Sequence, residues 1–173
     1  SRYYCRHSYR LFIFWMKKLD AAYWDFQYEN QRTGWDIGYA SPAIVEYFQQ
    51  IQDKSAYILI PGAGNGWEAE KLWKMGFKNI FVLDFSEKAQ DSFKRRVPDF
   101  PRSQILVEDF FQHQGSYDYM VEHTFFSSLP VTLREPYVKH VHKILKPQGR
   151  LMGLLFNHHF PHDGPPFGGL NTE

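Results

Sequence analysis

From Asp53 onward the chain alternates short, almost wholly apolar runs with amphipathic stretches, and the first run feeds straight into three alternate glycines. Ala56–Pro61 (AYILIP), Asn79–Asp84 (NIFVLD), Gln104–Val107 (QILV), Tyr117–Glu122 (YDYMVE) and Gly149–Phe156 predict five strands. Between them lie three helices: Trp67–Met75, capped by Gly76; a second opened by Ser86 and Glu87 and stopped after Arg96 by Pro98; and Pro130–Leu145. Strands that are apolar on both faces need helices on both faces, which means a parallel sheet. Right-handed crossovers then make it a doubly wound, mostly parallel α/β fold.

The sharpest motif is Ile60-Pro-Gly-Ala-Gly-Asn-Gly-Trp-Glu68, between the first strand and its helix. Gly62, Gly64 and Gly66 let the backbone turn tightly and approach a ligand, and the helix N-terminus beyond offers free N–H groups. Asp84 ends the second strand twenty residues after Gly64, placed to accept both hydroxyls of a ribose. The plain alternative is a simple turn with Asp84 capping the next helix. The same turn also satisfies G-x-G-x-x-A, the dinucleotide fingerprint. The tips of the later strands argue against NAD: Glu108-Asp109-Phe110 after the third strand and Glu122-His123 after the fourth project into one cleft at the carboxyl edge. Asp109 suits an adenine amino group, with Phe110 against the ring. These acids suit a sulfonium cofactor, which carries no pyrophosphate.

Composition closes off other classes. At 173 residues the chain is one domain. Its net charge of +1 supplies no general attraction for nucleic acid. The longest strongly apolar runs, such as Leu11–Met16 and Leu151–Phe156, fall far short of the ~20 residues that span a bilayer, so no membrane partner is expected. A single cysteine, Cys5, forms no internal disulfide, which fits a reducing, cytoplasmic setting. His158, His159, His162 and Asp163 lack zinc-site spacing, and no metal is expected.

The ordered set Trp35-Asp-Ile-Gly-Tyr-Ala-Ser-Pro, Ile60-Pro-Gly-Ala-Gly-Asn-Gly, Leu83-Asp-Phe-Ser, Val107-Glu-Asp-Phe, Tyr117-Asp-Tyr-Met-Val-Glu-His-Thr-Phe-Phe and Gly164-Pro-Pro-Phe-Gly-Gly resembles the thiopurine S-methyltransferase-like superfamily. Within it the plant halide/thiol methyltransferases look closest, and the likeness runs from about Met16 to Gly169. It implies a Rossmann-like class I fold that binds S-adenosyl-L-methionine and releases S-adenosyl-L-homocysteine. The family's sheet has seven strands, of which this chain holds five and lacks the last two. Trp24, Tyr28 and Trp35 match three lid tryptophans over the cofactor, with Tyr28 a departure; aromatic faces attract a sulfonium by ~0.5–2 kcal/mol per contact. Gly62, Gly64, Gly66, Asp84, Asp109 and Phe110 match cofactor-contact positions. His123 stands where the plant enzymes have a tyrosine near the cofactor methyl. Phe126, His158 and Phe167 are expected to line the substrate pocket.

The implied activity is methyl transfer to a small soft nucleophile (thiol, sulfide or halide) by in-line displacement. The alternatives are a thiopurine-type aromatic thiol acceptor or a non-catalytic module that binds an adenosine cofactor. His123 is the candidate for orienting or deprotonating a thiol, against a reading in which it only hydrogen-bonds within the cleft wall. The domain is expected to comprise a lid over 16–52, a cofactor-binding core over 53–156 and a substrate-loop region over 157–173, acting as a monomer on a small-molecule acceptor. Residues 1–15, with three Arg, six aromatics and no acid, read as a non-native or disordered leader; without them the charge is −2. The apolar fifth strand predicts that the natural protein continues with a helix and two more strands.

Overall fold

A computed structural model describes residues 19–161 and 164–169. The expected leader over 1–15, Cys5, His162 and Asp163 lie outside them. Five strands form one sheet: β1 (Tyr57–Pro61), β2 (Asn79–Asp84), β3 (Ile105–Val107), β4 (Tyr117–His123) and β5 (Leu145–Leu154), in the order β3-β2-β1-β4-β5 with every pair parallel. The helices are α1 (Ala21–Glu29), α2 (Pro42–Gln49), α3 (Trp67–Lys74), α4 (Glu87–Arg96), the single turn α5 (Phe125–Ser128) and α6 (Arg134–Ile144). Successive strands step outward from β1 to β3, and the chain then returns to β4 on the other side of β1. The order therefore reverses between β1 and β4, and the carboxyl ends of these two strands frame the crevice in which such sheets bind ligands.

Alternation along β1 divides the core. Ile58 and Ile60 join Ile80, Val82 and Val121 against Ile44 and Phe48 of α2, Leu72 of α3 and Phe93 of α4. Leu59 faces the other way with Leu83 and Met120, against Tyr137, Val141 and Ile144 of α6. Both faces are covered, which is why the strands read as unbroken apolar runs.

Two element boundaries differ from expectation. The helix predicted from Pro130 begins only at Arg134, after a 3-10 turn over Val131–Leu133. Pro136 explains the delay: within a helix begun at Val131 it would lack the N–H owed to the Thr132 carbonyl, whereas in the first turn of α6 no partner is needed. The fifth strand begins at Leu145, four residues before the expected Gly149, and ends at Leu154. Between the Tyr117–Leu145 and Tyr119–Arg150 pairs the register shifts, with Gln148 at φ 67°. Lys146-Pro-Gln-Gly is thus an irregularity inside the strand. Leu151 and Leu154, on this edge strand, are 45% and 39% exposed.

Of the expected lid segment 16–52, α2 belongs to the core, since Ile44 and Phe48 are fully buried. α1 sits across the start of α4. Ser86, the N-cap of α4, accepts from the Ala89 N–H at 3.2 Å and donates to Asp25 of α1 at 2.5 Å. Replacing Ser86 with Ala should lower stability by about 1 kcal/mol, read as a lower urea midpoint at unchanged slope.

Candidate active site

The glycine turn follows β1 because Gly62, Gly64 and Gly66 all hold positive φ (57°, 53° and 69°), a region costly for residues with a Cβ. The turn is tied to the tip of β2 by the Ala63 N–H on the Leu83 carbonyl (3.2 Å) and the Gly64 N–H on Asp84 Oδ2 (3.1 Å). Asp84 Oδ1 accepts the Ser86 N–H at 2.9 Å. Each carboxylate oxygen therefore holds one backbone donor and keeps a lone pair for another. Asp84 is 7% exposed, and burial pushes its pKa up to about 6 despite opposing backbone N–H groups, those of Ser86 and Gly64 foremost, with the Asp25 carboxylate adding to the rise.

Asp84 and Gly62 open onto a cleft of about 360 Å³. Trp24, Tyr28 and Trp35 form its outer wall, with Trp24 and Tyr28 edge-on to Trp35 at centroid distances of 5.4 and 6.0 Å. Phe85 follows β2; Glu108, Asp109 and Phe110 follow β3; Thr124 and Phe125 follow β4. Asp109 accepts the Phe111 N–H at 2.9 Å, which fixes its carboxylate at the rim. Phe110 is 3% exposed and packs on Phe125 and Tyr137, so it is mainly core. A smaller chamber of about 40 Å³ shares Tyr28, Trp35, Gly62 and Thr124 with the cleft and is further bounded by Gly64, Asp36, Glu68 and His123.

The expected residues thus divide. Trp24, Tyr28, Trp35, Gly62, Asp84, Asp109 and Phe110 share the cleft, while Gly64 and His123 line the chamber. Gly66 borders neither; a Cβ there would stand 2.7 Å from the Phe93 ring, so this glycine serves helix–sheet packing. Phe126, His158 and Phe167 lie outside the cleft walls. Phe126 packs onto Tyr137 (5.0 Å), and its backbone N–H is taken by the buried Glu122 carboxylate. His158 is exposed and packs on Phe160 at 4.1 Å. The Gly-Pro-Pro-Phe loop does reach the cleft, but through Pro165 and Pro166; the Phe167 N–H is engaged by the Ser127 carbonyl at 2.6 Å and Arg134 holds the Gly168 carbonyl.

Asp36 and Glu68 escaped the sequence reading, and Glu122, expected to project into the cleft from the tip of the fourth strand, borders neither the cleft nor the chamber because it is buried. Asp36 accepts from Trp67 Nε1 at 2.7 Å and from the Asn65 amide, latching the Trp35 loop to the glycine turn. Glu122 is 1% exposed, and burial pushes its pKa up to about 7. Glu68 joins His123 Nδ1 at 2.9 Å and accepts the Ser41 N–H at 3.1 Å. The only sequence signal of Asp36 and Glu68 is an acid beside an already suspicious residue.

The charge of the cleft decides between ligands. Asp84, Glu108 and Asp109 border it, and among the described residues no Lys or Arg does. A dinucleotide pyrophosphate would meet three carboxylates with no opposing cation. An adenosine whose sulfur and amino groups are positively charged would meet partners instead, with a glycine turn open to close approach and aromatic faces toward the sulfonium. The residues therefore fit S-adenosylmethionine.

The comparisons agree. The profile described as Thiopurine S-methyltransferase (TPMT) matches residues 19–173. The chain belongs to the thiopurine S-methyltransferase family. Members of this family are class I S-adenosylmethionine-dependent methyltransferases, and the chain is one of them. It is similar to Probable thiol methyltransferase 2 of Arabidopsis thaliana, at 26% identity over 157 residues, covering 88% of this chain and 69% of that one. It is also similar to Thiocyanate methyltransferase 1 of the same plant, at 27% over 158 residues, covering 87% and 68%. Its fold is shared with the 1,6-didemethyltoxoflavin-N1-methyltransferase of Burkholderia thailandensis, whose crystal structure holds 1,6-didemethyltoxoflavin and S-adenosylhomocysteine: TM-score 0.71, 15% identity, 88% and 71% covered.

Proposed function

We propose that this family member methylates a small soft nucleophile, a thiol, sulfide or halide. S-adenosylmethionine, when bound, supplies a sulfonium methyl group that a nucleophile displaces in line. The chain's own residues bind, orient and dehydrate. Asp84 accepts the ribose hydroxyls, Asp109 stands at the adenine end, and the rings of Trp24, Tyr28 and Trp35 cover the cofactor side. The observation that carries the acceptor reading is the composition of the remaining wall. Leu129, Pro130, Leu133, Pro165 and Pro166 are apolar, which strips water from a nucleophile and favours soft anions and thiols, whose dehydration costs least. Similarity to thiol and thiocyanate methyltransferases supports the same class. An aromatic thiol is the second reading, favoured by the size of the cleft.

The test is a methylation panel of sulfide, iodide, thiocyanate and an aromatic thiol, with calorimetry of S-adenosylhomocysteine alongside. The expected result is heat on binding and higher kcat/KM for sulfide and iodide than for the aromatic thiol. Methylation confined to oxygen or nitrogen acceptors would sink the proposal.

Acidity should move binding and stability in opposite directions. Asp84 titrates at about 6 in the fold against 3.8 for an ordinary side chain. The ribose needs the ionised form, so affinity for S-adenosylhomocysteine should fall about tenfold between pH 7 and pH 5. The folded protein binds the proton more tightly than the unfolded chain does. The stabilisation contributed by protonation is thus full below about pH 4 and lost as pH rises through 6, and Glu122 extends that window to about 7. Thermal melts of the ligand-free protein should therefore rise from pH 8 to pH 5.5 while calorimetric affinity declines.

A further inference from the structure

We propose that Glu68 is the positioning residue of a substrate thiol–His123–Glu68 relay, and that the acceptor methylated best is one that carries a proton to be removed. The inference rests on the methyltransferase reading above and goes beyond it, because halide and thiocyanate have no proton to lose.

The geometry is that of a base held by an acid. Glu68 lies in the first turn of α3, directly after the glycine turn, and His123 is the last residue of β4; the two are 55 residues apart in sequence and meet across the switch point of the sheet. Glu68 is 7% exposed, and its Oε1 accepts at once from His123 Nδ1 (2.9 Å) and from the Ser41 N–H (3.1 Å), a backbone donor that holds the carboxylate in place. A carboxylate only accepts hydrogen bonds, so the proton of the neutral imidazole sits on Nδ1 and the lone pair on Nε2. Both side chains line the small chamber that shares Gly62, Tyr28 and Trp35 with the main cleft. An acid that fixes the tautomer of an imidazole and stabilises its cation is the arrangement by which enzymes activate a hydroxyl or thiol. Here the thiol belongs to the substrate.

The step balances without another reactant. Nε2 takes the S–H proton, the sulfur lone pair so released forms the S–CH3 bond as the sulfonium C–S bond breaks, and the imidazolium returns its proton to solvent.

The charged and titratable neighbours support the assignment. Glu68 of α3, Glu122 of β4 and Asp36 of the loop after α1 all act on His123, and each favours the cation. Tyr28 of α1 and Tyr39 also border the chamber; burial, with Asp84 and Asp36 adding to it, pushes the Tyr28 hydroxyl upward and keeps it neutral. The Glu68 hydrogen bond is the largest contribution, and it raises the His123 pKa against the opposing pull of burial.

Two measurements test the relay. NMR titration of the histidine ring carbons, with His123 identified by the resonance lost in His123→Ala, should find it titrating above the ordinary ~6.5 and moving down in Glu68→Gln. Unchanged titration in a folded Glu68→Gln would overturn the proposal. In the wild-type protein, kcat/KM for an alkyl thiol, one ionising well above imidazole, should climb to a plateau at the pKa found by NMR. With the cofactor saturating, the profile for iodide should be flat there. Glu68→Gln should lower kcat for the thiol about tenfold, a larger loss than for iodide. If Glu68→Gln fails to fold, the two wild-type profiles decide: parallel curves reject the relay, a limb unique to the thiol supports it. Absence of heat with S-adenosylhomocysteine, or of any methylation, would instead bring down the methyltransferase reading and the relay with it.

Discussion

Replacing Asp84 with Ala should weaken S-adenosylhomocysteine binding by about 100-fold or more, the largest single effect expected at this site. The carboxylate does two things at the tip of β2. It holds the Gly64 and Ser86 N–H groups at 3.1 and 2.9 Å, and in the proposed binding of the cofactor its remaining lone pairs accept from the sugar. Hydrogen bonds to a charged group contribute roughly 1.5–3 kcal/mol each, so the loss of two ribose contacts alone amounts to two decades or more. The turn itself should loosen as well, because both N–H groups lose their partner in a nearly closed site. Stability should change less than binding, since removing a carboxylate whose pKa stands at about 6 also removes the cost of keeping it ionised at pH 7. Asp84→Asn keeps the shape but turns an N–H toward one of the two backbone donors, and should fall between Ala and wild type. Affinity for Asp84→Ala within threefold of wild type would contradict this account of the cleft.

Gly62→Val should both destabilise the fold and abolish cofactor binding. Gly62 is at φ 57°, where a β-branched residue is a true outlier, and a Cβ there would run into the Phe125 ring. Left-handed backbone costs about 1–2 kcal/mol for a residue with a side chain, and overpacking adds about 1–3. A total of about 2–5 kcal/mol corresponds to a melting point roughly 5–15 °C lower in a domain of this size. Phe125 lines the cleft and opens α5, so its displacement deforms the wall between the cleft and Glu122. Gly34→Ala is the matched control: a Cβ there meets nothing within 4 Å, and both melting point and affinity should stay as they are. A Gly62→Val protein that melts with the wild type would show that the turn has slack this geometry denies it.

The strands and the turn were legible because their causes are local. Asn79–Asp84 and the helix from Glu87 to Arg96 fall where the apolar pattern and the Ser86 cap put them. The fifth strand and the last long helix were misjudged at their starts, where a register shift and the proline at position 136 overrode a smooth pattern. At the site, Gly62 and Asp84 border one cleft with Trp24, Tyr28, Trp35 and Asp109, whereas Gly64 and His123 line the chamber and Gly66, Phe126, His158 and Phe167 line neither. Phe126 and Phe167 are pinned through their backbone N–H groups by Glu122 and Ser127, and no spacing in the chain announces that.

The order of apolar runs, glycines and terminal acids by itself determined a parallel doubly wound sheet and a turn beside Asp84, since both follow from hydrogen-bonding needs and steric limits within a few residues. The pairing of Glu68 with His123, the latch of Asp36 on Trp67 and the burial of Glu122 were decided only by tertiary structure. Each joins or encloses groups brought together when the sheet reverses its order at β1. Pair energies fall off with distance in space, and a linear sequence does not hold that distance.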